Sequence, residues 1–120
     1  MAGELVPLVL LPRYTSYVGQ STFTTIGMEV TDYANAIVNV WRGKLTGGTP
    51  TFGVTFEEST DESNWTTCTG TTANSDPGQE TEAQYTAQLT KRWFRIKVVL
   101  GGTSPAGTCW AIGFLELRER

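Results

Sequence analysis

Two segments of the chain alternate apolar and polar residues, and each is predicted to be a β-strand with one buried face. The first covers residues 51–59 and the second residues 92–100. Their apolar side chains fall at every second position: Phe52, Val54, Phe56, Phe94, Ile96, Val98 and Leu100. Successive side chains of a strand point to opposite faces, so this spacing leaves one face dry and one wet. We expect the seven residues to line the interior between two sheets.

Further strands are predicted along the rest of the chain, separated by turn residues. They cover residues 5–11, 21–30, 36–45, 83–90 and 108–118. Short strands at such intervals are typical of a β-sandwich or jelly roll. The predicted fold is therefore all-β: an antiparallel, jelly-roll-like β-sandwich of about seven to eight strands with an extended N-terminal arm.

The first and last strands of this set have distinct expected positions. Residues 5–11 are apolar but contain Pro7 and are followed by Pro12, which favours an edge strand or an extended arm. We therefore divide the chain into an arm or edge strand at residues 1–20 and one sandwich domain at residues 21–120. Residues 110–115 are apolar on both faces, so that strand is predicted to be central or covered.

One sequence pattern occurs twice. Residues 41–50 and residues 94–105 each read aromatic, Arg, any residue, Lys and apolar residues, followed by Gly-Gly-Thr before a proline. We interpret each copy as a strand that ends in a Gly-Gly hairpin turn. The alternative is that one half of the sandwich is a pseudo-duplicate of the other.

Composition supports a β-domain and excludes several kinds of chemistry. The chain has 120 residues, the length of one domain, of which twenty are Thr and thirteen are Gly. It has no His, which excludes a Ser-His-Asp triad, a Cys-His pair and an imidazole metal site within this chain. No apolar run approaches the roughly 20 residues of a membrane-spanning helix, so no membrane partner is expected.

Charge is unevenly distributed along the chain. The formal net charge is −3, and residues 45–90 contain seven acidic residues but no Lys or Arg. Four basic residues then follow closely: Lys91, Arg92, Arg95 and Lys97. This pattern fits a solvated acidic loop beside one basic strand, or a dipolar surface that pairs head-to-tail with neighbouring copies or docks on a charged partner lattice. Because nucleic-acid-binding domains usually carry a basic face, no nucleic-acid partner is expected.

The N-terminus and the cysteines bear on the cellular compartment. The N-terminus carries Glu4 in place of a positive region, unlike a secretory signal, so we expect synthesis in a cytoplasm and use without export machinery. Cys68 and Cys109 are interpreted as two independent core residues, although one disulfide is the alternative.

The carboxylates of residues 57–62 are the only close grouping of acids, and we predict no catalysis from them. Glu57 and Glu58 are adjacent on a strand and so point to opposite faces, unlike the facing pair of a glycosidase. Their expected role is solubility at the strand end. Asp61, Glu62 and Asn64 lack the residue order of a calcium loop. No catalytic residue, metal or cofactor is therefore predicted, and the chain is not expected to be an enzyme.

Four segments resemble a known family. They are residues 58–65 (Glu-Ser-Thr-Asp-Glu-Ser-Asn-Trp), 91–96 (Lys-Arg-Trp-Phe-Arg-Ile), 101–105 (Gly-Gly-Thr-Ser-Pro) and 33–38 (Tyr-Ala-Asn-Ala-Ile-Val). Together they resemble small β-sandwich virion proteins of tailed bacteriophages, over roughly residues 30–114. That family commonly has Gly at the position of Glu62.

The resemblance implies a virion protein made in the host cytoplasm. The implied function is that of a non-enzymatic capsid decoration, cement or minor capsid protein. Its partners would be the major capsid protein and copies of itself, with a trimer favoured. The alternative is a carbohydrate- or receptor-binding sandwich of a tail fibre or spike, in which Trp41, Trp65 and Tyr85 would form a sugar platform.

Two groups of residues are candidate partner contacts under this interpretation. The N-terminal group could add a strand to a neighbour's sheet, or could be the first strand of its own sandwich. It comprises Leu5, Val6, Leu8, Val9, Leu11, Arg13, Tyr14 and Tyr17. In the second group, the acidic loop of one copy would meet the basic strand of the next. It comprises Asp61, Glu62, Trp65, Arg95 and Lys97.

Overall fold

The fold is an antiparallel β-sandwich, as predicted. A computed structural model describes residues 5–11, 16–18 and 22–118, which contain nine β-strands and no helix. The strands are β1 (Leu5–Leu11), β2 (Ser16–Val18), β3 (Thr22–Thr24), β4 (Met28–Glu29), β5 (Tyr33–Arg42), β6 (Thr46–Ser59), β7 (Thr66–Thr67), β8 (Thr81–Gln88) and β9 (Trp93–Leu117).

Strand β9 is the central strand of both layers. Its C-terminal part pairs with β1 on one side and β5 on the other, and β8 pairs with β5. We call this layer A (β1–β9–β5–β8). The N-terminal part of β9 pairs with β6 on one side and with β3 and β4 on the other, and β7 pairs with β6. We call this layer B. Residues 108–118 are therefore central, as expected, and β1 is an edge strand paired with its own chain.

The two Gly-Gly-Thr segments face each other across β6 and β9. Gly48 is the register partner of Thr103, and the ladder between the two strands shifts register on either side of this pair. Each segment lies inside a strand that continues past it, so the hairpin interpretation is wrong. The turn between β5 and β6 instead lies earlier, at residues 43–45.

The paired segments are related by a local pseudo-two-fold symmetry. Gly47 and Gly102 have φ values of 122° and 109°, and two residues after each comes a left-handed residue, Thr49 or Ser104. A Cβ on Gly47 would lie 2.7 Å from the carbonyl oxygen of Thr103, and one on Gly102 would lie 2.6 Å from that of Gly48. Glycine is required at both positions because backbone approaches backbone there. On β9, these irregular residues lie just before residue 108, near which the strand passes from layer B to layer A.

The core lies between the two layers and confirms the predicted interior positions, whereas the wet face predicted for residues 51–59 is wrong, because β6 is buried on both faces over residues 52–59. All seven predicted interior residues are at most 7% exposed. Phe56 packs against Phe94 in its own layer and against Tyr85 from the opposite layer, with ring centroids 6.4 and 5.3 Å apart. Layer A contributes smaller side chains to the same core: Ala36, Val38, Val40, Ala87, Ala111 and Leu115. Each large apolar side chain buried in this way contributes about 1.5–3 kcal/mol.

Candidate interaction surfaces

The turn between β6 and β7 is built by its own polar side chains. The Oγ of Ser59 accepts the backbone N–H of Asp61 and of Glu62, at 3.1 and 2.9 Å. The Asp61 carboxylate accepts the backbone N–H of Asn64 and of Ser63, both at 2.9 Å. These hydrogen bonds hold the pKa of Asp61 well below its ordinary value. Asp61 therefore stabilises its own loop.

Glu62 occupies a position where Gly is common in the small virion proteins that this sequence resembles. Its φ is 61°, which lies in the left-handed region that glycine adopts most easily. The indole Nε1 of Trp65 donates to the carbonyl oxygen of Glu62 at 3.3 Å. The family glycine and this glutamate are thus compatible with the same turn conformation.

One partly buried cluster lies on the outer side of layer B and consists of Arg95, Glu57 and Trp65. Arg95 Nε donates to Glu57 Oε1 at 2.9 Å, and the guanidinium lies 4.1 Å from the centroid of the Trp65 ring. Their side chains are only 23% (Arg95) and 10% (Glu57) exposed. The expected solubility role of Glu57 is therefore wrong, because this carboxylate is a buried ion-pair partner.

Of the five residues in the second contact group, three contact their own chain and two remain available; Trp65 is one of the three, because it carries Arg95 on its ring. Arg95 pairs with Glu57, and Asp61 caps its own turn. Glu62 is exposed, and Lys97 makes no ion pair with any residue that the structure describes. A contact between copies through opposite charges would therefore fall to Glu62 and Lys97.

Glu58 points inward and closes the turn between β8 and β9. Its Oε1 accepts the backbone N–H of Thr90 at 2.8 Å and of Lys91 at 3.1 Å, and its Oε2 accepts the Thr90 hydroxyl at 2.9 Å. The side chain is 3% exposed, so its expected solubility role is also wrong. As predicted, Glu57 and Glu58 contact different partners on opposite sides of the strand.

The three aromatic residues of the sugar-platform alternative are engaged within the protein. Trp41 stacks on Trp110 with ring centroids 6.4 Å apart, and Tyr85 packs against Phe56 in the core. Trp65 carries Arg95 on its ring. Tyr85 lies in the core, and Trp41 and Trp65 belong to different layers, so the three rings do not form one common platform.

The N-terminal contact group is divided between the core and the surface. Leu8 and Leu11 are buried at 7% and 6% exposure, and Val6 packs against the same core. Leu5 and Val9 point outward from β1. Of the three remaining members, Tyr17 stacks on Phe23 with ring centroids 4.6 Å apart, whereas Arg13 and Tyr14 lie outside the described residues.

The outer face of layer A holds an apolar surface that sequence reasoning missed. The register places Pro7 beside Phe114 and Phe114 beside Ile37, while Val9 lies beside Ile112. Phe114 is 44% exposed. The signal was present in residues 110–115, which are apolar on both faces: one face enters the core and the other forms this surface.

Both cysteines are buried free thiols, which confirms the interpretation as independent core residues. Burial raises the pKa of Cys68 to about 12, with the nearby carboxylates of Glu58 and Glu57 adding to the effect, and burial raises the pKa of Cys109 to about 11. Within the described ranges, no three potential metal ligands of the Cys, Asp and Glu types converge. The same ranges contain no helix long and apolar enough to cross a membrane.

Two solved structures of viral particles share this fold. One is a chain of infectious bursal virus-derived T=1 particles, with a TM-score of 0.61 and 12% identity over 96% of this chain and 32% of that chain. The other is a chain of infectious bursal disease virus, Gt strain, with a TM-score of 0.57 and 13% identity over 95% of this chain and 32% of that chain. The chain therefore spans about a third of each of these chains. No protein-family model and no curated protein matches the sequence.

Proposed function

We propose that this chain is a structural component of a virion, in the role of a capsid decoration or minor capsid protein. The observation that carries the proposal is the likeness of nearly the whole chain to chains of viral particles. We take the particle to be that of a tailed bacteriophage, because four sequence segments resemble small virion proteins of those phages. The protein would be made in the host cytoplasm and would bind the major capsid protein and copies of itself, with a trimer favoured.

The function we propose is adhesion without chemistry. The adjacent carboxylates of Glu57 and Glu58 have structural roles. Glu57 forms an ion pair, and Glu58 accepts hydrogen bonds from a turn. A decoration protein needs only a stable scaffold and a surface, because many weak contacts at equivalent lattice positions add through multivalency. A sandwich with a large shared core and polar turns supplies such a scaffold.

The test is reconstitution on particles that lack the protein. Particles from cells in which the gene is deleted are mixed with the purified chain and sedimented, and bound copies are counted by quantitative mass spectrometry. We expect saturable binding at a fixed ratio to the major capsid protein. A lack of binding would refute the proposal. If the chain instead binds a glycan array and Trp65→Ala abolishes that binding, the carbohydrate alternative would replace it.

A further inference from the structure

The outer face of layer A carries neighbouring apolar side chains. They lie side by side on β1, β9 and β5 and comprise Leu5, Pro7, Val9, Ile37, Ile112 and Phe114. Leu5, Val9 and Phe114 are 52%, 63% and 44% exposed, and they are three of the four exposed large apolar side chains in the described part of the chain. Isolated exposed apolar residues are ordinary, but neighbouring ones on one sheet face mark an interaction surface.

Aromatic and uncharged polar side chains extend this area across β5 and β8. Trp41 and Trp110 are register partners with ring centroids 6.4 Å apart, and the exposed Gln84 and Thr86 follow on β8. We call the whole outward surface of β1, β9, β5 and β8 the A face. The cores of protein interfaces are typically enriched in aromatic residues and depleted in charged ones, and the A face has this composition.

The outer side of layer B, in contrast, is largely covered by the chain itself. A Cβ on Gly53 would lie 3.0 Å from Asn74, whose backbone N–H donates to the Thr55 hydroxyl at 2.9 Å. Thr55 is therefore only 3% exposed. On the A face, every outward strand position that the structure describes is at least partly exposed. The A face is thus the sheet surface that a partner can reach.

The charges of the A face determine the chemistry of a partner. Its charged side chains are Glu82 and Glu116, at opposite ends of the face, and none of its described outward positions is Lys or Arg. Arg118 follows β9, but its guanidinium donates to backbone carbonyl oxygens at the end of the layer. A matching surface is apolar at its centre and basic at its edge. Two A faces placed together would supply no basic group, which disfavours contact of this face with itself.

From these observations we infer that the A face is the surface by which the chain binds the major capsid protein of its particle. The inference rests on the proposed function and deepens it, because it names the contact surface and the chemistry of the partner: an apolar area edged by Lys or Arg. Binding uses the face of the sheet rather than strand addition at the β1 edge. Pro7 has no N–H to donate there, and the ladder shifts register between Val9 and Leu11.

The size of the A face favours a partner on a lattice over a second free copy. Four strands about 4.8 Å apart and about seven residues long give a footprint of roughly 450 Å². A stable interface buries about 800 Å² on each partner. Binding to one isolated capsid subunit is therefore expected to be weak, and stable attachment requires a particle on which bound copies also contact their neighbours.

The reconstitution assay with variant proteins tests the A face. Val9→Thr/Phe114→Thr removes apolar surface while keeping residues that suit strands, and it is expected to weaken particle binding about tenfold or more. Ile26→Ser is the matched control, because Ile26 is the fourth exposed large apolar residue but lies between two strands of layer B. It should bind like the wild type. Circular dichroism and thermal melting establish that the variants fold.

Charge reversal tests the basic edge of the partner without changing the apolar area. Glu82→Lys is expected to weaken particle binding at low salt about tenfold, whereas Glu80→Lys, the same change at an exposed residue outside the A face, should leave it unchanged. If Glu82→Lys binds as well as Glu80→Lys does, the inferred charge of the partner surface is wrong.

A photo-crosslinking amino acid in place of Gln84 identifies the partner directly. In bound particles, mass spectrometry should find the crosslink on the major capsid protein. Crosslinks that lead only to a second copy of this chain, or to a glycan, would overturn the inference. So would a Val9→Thr/Phe114→Thr variant that binds particles like the wild type, in which case the proposed function stands. If the wild-type chain itself does not bind particles, the proposed function fails as well.

Discussion

Removing the Glu58 side chain should destabilise the sandwich much more than removing an exposed carboxylate. The Glu58 carboxylate is 3% exposed and accepts three hydrogen bonds from the turn between β8 and β9. In Glu58→Ala the backbone N–H groups of Thr90 and Lys91 lose their acceptor. Thr90 is exposed and Lys91 is partly exposed, so water can reach these donors, and the expected loss is that of hydrogen bonds to a charged acceptor, about 1.5–3 kcal/mol of unfolding free energy.

Glu58→Gln is the graded variant of the same experiment. Its side-chain oxygen can still accept both backbone N–H groups, while the Thr90 hydroxyl can turn to accept from the amide nitrogen. The expected loss is about 1 kcal/mol, because hydrogen bonds to a neutral acceptor are weaker. For a domain of this length 1 kcal/mol corresponds to about 4 °C in Tm. The Ala and Gln variants should thus melt about 6–12 °C and about 4 °C below the wild type.

Urea denaturation and thermal melting, followed by circular dichroism, measure these differences. The matched control is Glu82→Ala, an exposed carboxylate on β8, which should change stability by no more than about 0.5 kcal/mol. Equal stability of Glu58→Ala and Glu82→Ala would refute the structural role of Glu58. Loss of a hydrolytic activity in a fully folded Glu58→Gln variant would reopen an enzymatic role.

Three other parts of the sandwich give predictions of different kinds. Gly113→Ala should cost at least about 3 kcal/mol in urea denaturation, because its Cβ would overlap a carbonyl oxygen of β5. Cys68 and Cys109 should react with a thiol reagent at neutral pH only in the unfolded chain, since burial raises their pKa to about 12 and about 11. Asp76→Asn should lose about 1 kcal/mol at neutral pH, because a hydrogen bond from Arg42 lowers the pKa of Asp76 in the folded state. That difference is present above the unfolded-state pKa of about 3.9 and disappears as pH falls through the lowered folded-state value.

Controls and contrary outcomes differ among these three. Gly43→Ala is the control for Gly113→Ala and should be milder, because its Cβ would meet only the end of the Trp41 ring, at 3.1 Å. If the two variants were equally stable, the argument from backbone overlap at Gly113 would be contradicted. Rapid labelling of either thiol in native protein would contradict its burial. For the aspartate, a stability difference that persists at strongly acidic pH would show that the carboxylate charge is not its cause.

The fold was predictable where the physical signal is local. Alternation in residues 51–59 and 92–100 identified the buried faces, because period-two patterning follows directly from strand geometry. The two Gly-Gly-Thr segments were misinterpreted because a hairpin turn and a strand irregularity use the same residues. What distinguishes them is the partner: Gly48 pairs with Thr103, 55 positions away in the chain. The turn propensity of either segment alone does not predict that pairing.

The candidate surfaces were only partly predictable for a related reason. Leu5 and Val9 of the N-terminal contact group are exposed, whereas Leu8 and Leu11 of the same group belong to the core. The surface position of Phe114 depends on which face of β9 turns outward, and this is set by pairing with β1 and β5.

Electron cryo-microscopy of particles with and without the chain is the most direct test of a virion role. The account predicts difference density at every symmetry-equivalent lattice position, in repeated blocks of about the dimensions of this domain, 50 × 28 × 21 Å. Particles that are identical with and without the chain, at a resolution that would reveal such a block, would contradict it.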